Sequence, residues 1–217
     1  MPGQQVIATP IVVVAASGLA REAAVAAVAS GQRVRGVLDD RKDLQGKDIA
    51  EGLPVLGTID EAIDHLDAQF VVCTGKGRVR RTIVERLSGQ GVDGDHYVTI
   101  THPSVHVPPG CHVGPGAVLL AGVVLTADVS VGAHVVCMPH VVLTHDCVLA
   151  EYSTLCAGVV LGGGVRVERD AYVGMAASVR ENSRIGEGSV VGMGSVVLQH
   201  VPAFQTWAGV PATPLRG

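Results

Sequence analysis

The sequence predicts a small parallel α/β domain followed by a parallel β-helix, and three observations support this fold class. An aliphatic residue recurs at every sixth position in the second half of the chain. A second position with the same six-residue spacing carries only small or β-branched residues. The first hundred residues lack the repeat and alternate strand-like and helix-like segments. We therefore expect an α/β domain at residues 1–102 and a β-helix at residues 103–217.

The six-residue repeat runs without interruption. Stepping by six from Val107 reaches Val197, and fifteen of these sixteen positions are aliphatic. Stepping by six from Cys111 reaches Ser195 and meets no large or charged residue. Neither a helical period of 3.6 residues nor a strand period of two gives this spacing, whereas a chain that turns a corner every six residues does. Three faces then make one coil, and the repeat covers about five coils.

The first hundred residues predict βαβ units. "IVVVAASG" is typical of a buried strand and a small-residue turn, "LAREAAVAAVAS" of a helix, and "RVRGVLDD" of a second strand. "FVVCTGKGRVRRTIVERL" repeats strand, glycine turn and helix, and "YVTI" predicts a last short strand. Ligands of such sheets bind at the carboxyl ends of the strands. Asp39 stands where a dinucleotide-binding enzyme binds ribose, so a nicotinamide-dependent oxidoreductase remains an alternative function. Against this alternative, no second βαβαβ half follows. Asp39 and Asp40 are otherwise interpreted as a solvated turn.

Composition excludes several classes of protein. The net charge is -4 and the basic residues are scattered, so a nucleic-acid partner is not expected. No apolar run approaches the roughly 18 residues of a membrane helix, and the N-terminus lacks the features of a signal peptide, so we expect a cytoplasmic protein without a membrane partner. The five cysteines form no CxxC pair and are expected to be reduced. With 3% aromatic residues, the core must consist of small aliphatic side chains.

Local motifs add a resemblance to known families. The repeat with "HDC" at His145 resembles the left-handed β-helix, hexapeptide-repeat acyltransferases over residues 105–215. The "SG" turn, the "LDD" strand end, the "G(x4)R" turn at Gly75 and Arg80, and "HPS" extend this resemblance to the bacterial nucleotide-sugar N-acetyltransferases and sialic-acid O-acetyltransferases. It implies a left-handed coil, an N-terminal domain that binds a nucleotide sugar, and a homotrimer with acetyl-CoA between two subunits. The resemblance also implies that the enzyme needs no metal ion. It further implies a role in the biosynthesis of the lipopolysaccharide O-antigen.

His145 is the candidate general base. A sugar amine attacks a thioester only as the free base, and a histidine accepts its proton in the neutral pH range. The neighbouring Asp146 is suited to hold one tautomer of the ring, provided that the chain bends there. The resemblance places the donor to the thioester oxyanion at the Gly163 amide. On spacing alone, a histidine at an exposed corner is more often inert than catalytic, and Gly163 is equally well explained as part of a flexible corner.

The resemblance also implies which residues contact the two substrates. Acetyl-CoA is expected to contact Gly163, Tyr172, Gly174, Met175, Gly192, Gly209, Val210 and Pro211, of which the last three belong to a "GVPA" segment that closes over the CoA nucleotide. The nucleotide sugar is expected to contact Ser17, Gly18, Asp39, Asp40, Gly75, Arg80, Met138 and Thr154. Leu19, Met138 and Thr154 replace a histidine, an asparagine and a histidine of relatives with UDP-linked substrates. These departures predict that the sugar pocket is not of the UDP type. The range of substrates in the family then favours a GDP-linked 4-amino-4,6-dideoxy sugar such as GDP-perosamine, although no residue identifies guanine.

Three alternatives remain open from the sequence. O-acetylation of sialic acid or a related sugar requires only a different acceptor. A zinc enzyme like the β-helical carbonic anhydrases would use His140 and His145, but Ser104 stands where the third ligand is expected, and His102 and His106 miss that register by two. A non-catalytic trimeric assembly module would leave Asp39, Asp40 and Gly163 without a role.

Overall fold

A computed structural model describes residues 9–215, and it contains the two predicted units. The first is a five-stranded sheet with helices on its faces, and the second is a left-handed parallel β-helix with three faces. Both halves of the predicted fold class are therefore confirmed. No helix within the described residues is long and apolar enough to cross a membrane.

The α/β domain is built on the sheet order β3-β4-β2-β1-β5. Its elements are β1 (Ile11–Val14), α1 (Gly18–Ala29), β2 (Val34–Leu38), β3 (Asp48–Ala50), β4 (Leu53–Gly57), β5 (Gln69–Val72) and α2 (Gly77–Ser88), with 3₁₀ segments at Lys42–Leu44, Ile59–His65 and Gly94–His96. All pairs are parallel except β3 with β4. β1 is fully buried and lies between β2 and β5, so the strand order reverses beside it. In parallel α/β sheets this point is where ligands bind.

Sixteen two-residue strands and a terminal hairpin form the three faces of the β-helix. The face that we call the covered face contains β6 (Ile100–Thr101), β8 (Val118–Leu119), β11 (Val136–Cys137), β14 (Thr154–Leu155), β17 (Tyr172–Val173), β20 (Val190–Val191) and the hairpin β22 (Thr206–Gly209) and β23 (Ala212–Pro214). A second face contains β7 (His112–Val113), β10 (Ser130–Val131), β13 (Val148–Leu149), β16 (Arg166–Val167) and β19 (Arg184–Ile185). The third, here the valine face, contains β9 (Val124–Leu125), β12 (Val142–Leu143), β15 (Val160–Leu161), β18 (Ser178–Val179) and β21 (Val196–Val197).

Both six-residue registers form the interior of the β-helix. Ser130 pairs with Val148 and Val148 with Arg166, so successive coils are eighteen residues apart, as the sequence predicts. The aliphatic register from Leu119 to Val197 and the small-residue register from Cys111 to Ser195 are buried together. Val107 and Val113 are the exceptions: Val107 precedes the first strand of its face and is 37% exposed, and Val113 is half-buried in the first strand of the second face.

The corners repeat one backbone conformation. Every sixth residue from Gly110 to Gly194 has a positive φ, and where this residue is not glycine it is most often Asp, Asn or His. These residue types tolerate the left-handed region better than others do. The corner at Asp146 has φ 62°, so the chain bends there as the predicted pairing with His145 requires.

The α/β domain docks on the covered face. Val118, Leu120 and Val136 project from this face and are buried among the alanines of α1. The predicted strand "YVTI" serves both units: the Val98 N–H donates to Phe70 of the α/β sheet, whereas β6 pairs with β8 of the β-helix. Because this segment makes backbone contacts with each unit, it connects the α/β sheet to the covered face of the β-helix.

Candidate active site

His145 occupies a corner that is fixed by the coils on both sides. The Thr144 hydroxyl donates to the Leu161 carbonyl (2.7 Å) on the next coil, and the Asp146 N–H donates to the Ala127 carbonyl (3.0 Å) on the previous one. The His145 carbonyl accepts from the Gly164 N–H (2.9 Å). The backbone is therefore held rigidly while the side chain projects outward.

The His145 ring pairs with the neighbouring carboxylate. Its Nδ1 lies 2.7 Å from Asp146 Oδ2, and the two side chains are 68% and 65% exposed. A carboxylate accepts hydrogen bonds only, so in the neutral form of the ring Nδ1 carries the proton and Nε2 has the free lone pair. This is the arrangement in which a histidine acts as a base through Nε2.

Gly163 lies directly beneath this ring, one coil further along. A Cβ atom at Gly163 would come within 2.5 Å of His145 Nε2, so only glycine leaves room for the observed ring position. The Gly163 N–H makes no hydrogen bond within the described residues. The same corner position holds Pro115 and Pro139 elsewhere, which shows that the coil leaves this N–H unused. The unused N–H of Gly163 is therefore a free hydrogen-bond donor next to the His145 ring.

The predicted substrate residues Ser17 and Asp39 meet at the carboxyl ends of the central strands. Ser17 caps α1, and its hydroxyl donates to the Cys73 carbonyl (2.6 Å) at the end of β5. Asp39 Oδ2 accepts from the Ala16 N–H (2.7 Å) and Oδ1 from the Arg41 side chain (3.0 Å). Burial alone would raise the pKa of Asp39, but these hydrogen bonds and the Arg41 charge outweigh it and lower the pKa, so the carboxyl is ionised.

Asp40 does not join this cluster. Its carboxylate accepts from the Arg86 side chain (2.6 Å) and from the Ile59 N–H (3.0 Å), and the Arg86 hydrogen bond lowers its pKa. Asp40 therefore connects the end of β2 to α2. Gly18, by contrast, is exposed and borders a cavity of about 460 Å³ together with His102 and Pro139.

Arg80 contacts oxygen atoms of the protein itself, and its predicted contact with the substrate stays a prediction. Its side chain is fully buried and donates to the carbonyls of Thr74, His134, Tyr152 and Ser153 and to the Thr154 hydroxyl. Burial lowers its pKa to about 10. The guanidinium thus connects the end of β5 to the β-helix, and a substrate would have to displace these oxygens to reach it.

The side chains of Thr154 and Met138 also make contacts inside the protein. The fully buried Thr154 hydroxyl donates to the Gly75 carbonyl (3.0 Å), and Met138 packs against the apolar cluster beneath α1. Thr154 is fully buried, whereas Met138 is half-buried. The predicted substrate contacts of both residues stay predictions, and Gly75 borders an open cavity.

The predicted cosubstrate residues divide between two places. Tyr172 lines a cavity of about 750 Å³ against the covered face. Met175 and Val210 are 49% and 73% exposed near the corner where the covered and valine faces meet. Gly174 and Gly192 lie at the same corner, and a Cβ on either would clash with the next coil or with β22, so coil stacking already accounts for both glycines. The hairpin that carries Gly209 and Pro211 is held there by the Gly209 N–H, which donates to Ser195 Oγ (3.2 Å).

One buried histidine went unrecognised in the sequence. His134 is 5% exposed and its ring stacks on Tyr152 at a centroid distance of 5.1 Å. Burial and the nearby Arg80 charge lower its pKa to about 4, so the ring is neutral. Its position in the left-handed corner register was readable from the six-residue spacing, but its burial depends on the docking of the other domain.

Within one chain, the His145 corner and the α/β domain are on opposite sides of the β-helix. His145 lies between β12 and β13, at the corner that joins the valine face to the second face. The α/β domain packs on the covered face, which is the side opposite that corner. Of the predicted site residues, His145, Asp146 and Gly163 come together, and Ser17 and Asp39 come together, but the two groups do not meet.

Comparisons with known proteins agree with both units. Residues 10–87 match the PglD N-terminal domain. A perosamine N-acetyltransferase from Caulobacter crescentus, solved as a histidine-to-asparagine mutant in complex with CoA and GDP-perosamine, is 27% identical with a TM-score of 0.88 over 96% of this chain and 97% of that chain. The acetyltransferase domain of PglB from Neisseria gonorrhoeae, in complex with acetyl coenzyme A, is 29% identical with a TM-score of 0.86 over 96% and 100%. WeeI from Acinetobacter baumannii is 27% identical, with a TM-score of 0.82 over 95% and 100%. No curated protein sequence matches the chain.

The left-handed coil and the matches to structures of acetyltransferases support an acyltransferase of the hexapeptide-repeat type. The PglD-type N-terminal domain and these structural matches support a nucleotide-sugar N-acetyltransferase of that group. The structural matches to acetyltransferases favour this enzyme class over the zinc enzyme and the assembly module. His140 and His145 lie at different corners of one coil.

Proposed function

We propose that the protein transfers an acetyl group from acetyl-CoA to the C4 amine of a nucleotide-linked 4-amino-4,6-dideoxy sugar, with a GDP-linked sugar favoured. The observation that carries this proposal is the corner of His145, Asp146 and Gly163, where a base with a free Nε2 lies over an unused backbone donor. The C. crescentus protein with GDP-perosamine and CoA, and the PglB domain with acetyl-CoA, support the substrate classes.

The chemistry follows from the placement of these groups. His145 Nε2 accepts a proton from the sugar amine as its nitrogen forms a bond to the thioester carbonyl carbon. Asp146 stabilises the resulting imidazolium through Nδ1. The Gly163 N–H donates to the oxygen that gains negative charge. When the carbon–sulfur bond breaks, the thiolate of CoA leaves and takes the proton from His145, which restores the free base. Neither a metal ion nor an acetylated side chain is required.

A site shared between subunits reconciles the two groups of residues. Because the His145 corner lies opposite the α/β domain of its own chain, we propose that it receives the sugar held by a neighbouring subunit of a trimer. The valine face supplies an apolar surface for this contact. Val124 and Val160 are 44% and 41% exposed there, and Val142 and Val196 are half-buried. An exposed apolar stripe of this length is typical of a subunit interface.

A substrate panel tests the proposal. Thiol release from acetyl-CoA would be measured with UDP-, dTDP- and GDP-linked 4-amino sugars, and each product would be identified by mass spectrometry. We expect turnover with amines, highest for the GDP-linked sugar, from a species three times the mass of the chain in light scattering. Turnover with hydroxyl acceptors alone would contradict N-acetylation and establish O-acetylation, and full activity in a monomer would contradict the shared site.

A further inference from the structure

The peptide group that carries the Gly163 N–H is contacted by the cysteine of the "HDC" motif. Cys147 is fully buried, and its Sγ lies 3.3 Å from the Gly162 carbonyl oxygen on the next coil. Burial raises the pKa of the Cys147 thiol, so the group is protonated and donates its hydrogen to this carbonyl. The Gly162 carbonyl and the Gly163 N–H belong to one planar peptide group. The thiol therefore binds the opposite end of the group that we propose as the oxyanion donor.

The preceding peptide group is bound by a second side chain from the same corner. The Thr144 hydroxyl donates to the Leu161 carbonyl at 2.7 Å. The Thr144 backbone N–H reaches the same oxygen at 3.4 Å, whereas the equivalent bond from Thr126 to Leu143, one coil earlier, measures 3.1 Å. The hydroxyl thus supports the strand pairing where the backbone bond is long. Side chains of residues 144–147 therefore bind both carbonyls that precede Gly163.

Packing of the coil does not require a thiol at position 147. Residues 111, 129, 147 and 165 form one column of the small-residue register, one coil apart, and valine stands directly before and after Cys147. Valine fills this corner and donates no hydrogen bond. Cys111, the other thiol of the column, accepts the Val129 N–H (3.4 Å) and donates to no carbonyl within the described residues. The donating thiol of this column therefore lies at the corner that holds His145.

The triple glycine at residues 162–164 explains why such support matters. Glycine restricts the backbone least, so the orientation of these peptide groups depends on contacts from outside the segment. An oxyanion donor acts only at hydrogen-bond distance from the oxygen that gains charge, and its orientation must be fixed before the reaction. A hydrogen bond to the carbonyl end of a peptide group also strengthens its N–H as a donor, because linked hydrogen bonds polarise one another.

We infer that Cys147 is a positioning residue for acetyl transfer: its thiol orients and polarises the Gly162–Gly163 peptide group so that the Gly163 N–H stabilises the oxyanion, and Thr144 anchors the peptide group before it. The corner then supplies the base, the carboxylate that orients the base, and the support of the oxyanion donor. The inference rests on the proposed function, because it takes the Gly163 N–H as that donor. It holds equally for an amine and for a hydroxyl acceptor.

Carbonyl NMR of the intact chain tests the hydrogen bond without any substrate. Residues 162–164 are the only consecutive glycines in the sequence, so glycine labelled with carbonyl carbon-13 and amide nitrogen-15 gives linked signals only for the Gly163 and Gly164 amides. We expect Cys147→Val and Cys147→Ala to shift the Gly162 carbonyl signal. The Gly163 carbonyl is an internal control, because it accepts from the Asn182 N–H (2.8 Å) and should move less. An unshifted Gly162 carbonyl in both variants would overturn the inference.

Steady-state kinetics distinguish positioning from packing. The oxyanion forms only on attack, so Cys147→Val and Cys147→Ala should lower kcat in the thiol-release assay and leave the KM values unchanged. We expect a fall of about three- to tenfold, less than the hundredfold or more that loss of a whole oxyanion donor costs. Cys147→Ser keeps a donor and should retain kcat within about twofold of wild type. The matched control Cys111→Val makes the same change in the same column and should leave kcat unchanged.

Thr144→Val should lower kcat by a similar factor, and Thr144→Ser, which keeps the hydroxyl, should not. Wild-type kcat in both Cys147→Val and Cys147→Ala, or an equal loss in Cys111→Val, would overturn the inference, and the proposed function would stand if the wild type acetylates a nucleotide-linked amine. If the wild type acetylates hydroxyl acceptors alone, the proposed N-acetylation fails, and the same pattern of kcat losses with that acceptor supports the inference.

Discussion

Replacing Gly163 by alanine tests whether the position of the His145 ring sets the rate. The added Cβ would lie 2.5 Å from Nε2, whereas ordinary contact begins near 3.4 Å, so the ring must move by about 1 Å. The ring is 68% exposed and can swing away at little cost in stability, and Gly163 has no positive φ to strain. The backbone N–H remains, so the oxyanion donor is retained.

A displacement of this size lowers rates by about a hundredfold where geometry is critical. We therefore expect Gly163→Ala to lower kcat by about two orders of magnitude, with the KM values and the melting temperature nearly unchanged, in a thiol-release assay with the best acceptor. Gly94→Ala is the matched control, because its Cβ would meet no atom within 4 Å. Wild-type kcat in Gly163→Ala would refute the view that His145 acts from its observed position.

Three further predictions follow from the same structure. Asp146→Asn keeps the left-handed corner but removes the charge beside Nδ1, so kcat in the thiol-release assay should fall at least about tenfold with little change in the melting temperature. Arg80→Met leaves buried carbonyls without a donor and should cost about 3 kcal/mol or more of stability, seen as a lower melting temperature; an unchanged value would contradict the interdomain role of Arg80. The pKa of His134 is about 4 in the folded protein, below its usual value. As the pH falls from 6.5 to 4, the unfolded chain therefore binds a proton at His134 that the folded protein does not bind, and the free energy of unfolding decreases. At pH 5.5 this amounts to about 1 kcal/mol, which His134→Asn should abolish in urea titrations at pH 7 and 5.5.

The β-helix was predictable because its information is local and repeated. Each coil uses the same inward positions, so one irregular residue such as Val107 does not hide the period. The hand of the coil does not follow from the period and came from the resemblance alone. The bend at Asp146 was also predictable, because the six-residue spacing locates every corner.

Other predicted site residues make contacts that depend on how the domains and coils pack, and their predicted roles stay predictions. Arg80 looks like a substrate ligand in a "G(x4)R" turn, and only the approach of α2 to the β-helix shows that its guanidinium is used by backbone carbonyls. Thr154 was expected to contact the nucleotide sugar, and the docking of the α/β domain buries its side chain against Gly75. Gly174 and Gly192 were assigned to acetyl-CoA, although contact between coils already requires glycine at both positions.

The pH dependence of kcat/KM in His145→Asn tests the central claim most directly. A general base removes the proton from the bound sugar amine, so the rate no longer follows the fraction of amine that is unprotonated in solution. We predict that the wild-type profile levels off near neutral pH, whereas the residual rate of the variant, lower by two to four orders of magnitude, continues to rise with pH as the amine loses its proton. Parallel profiles for the two proteins, or a variant with full activity at neutral pH, would contradict the assignment of His145 as the base.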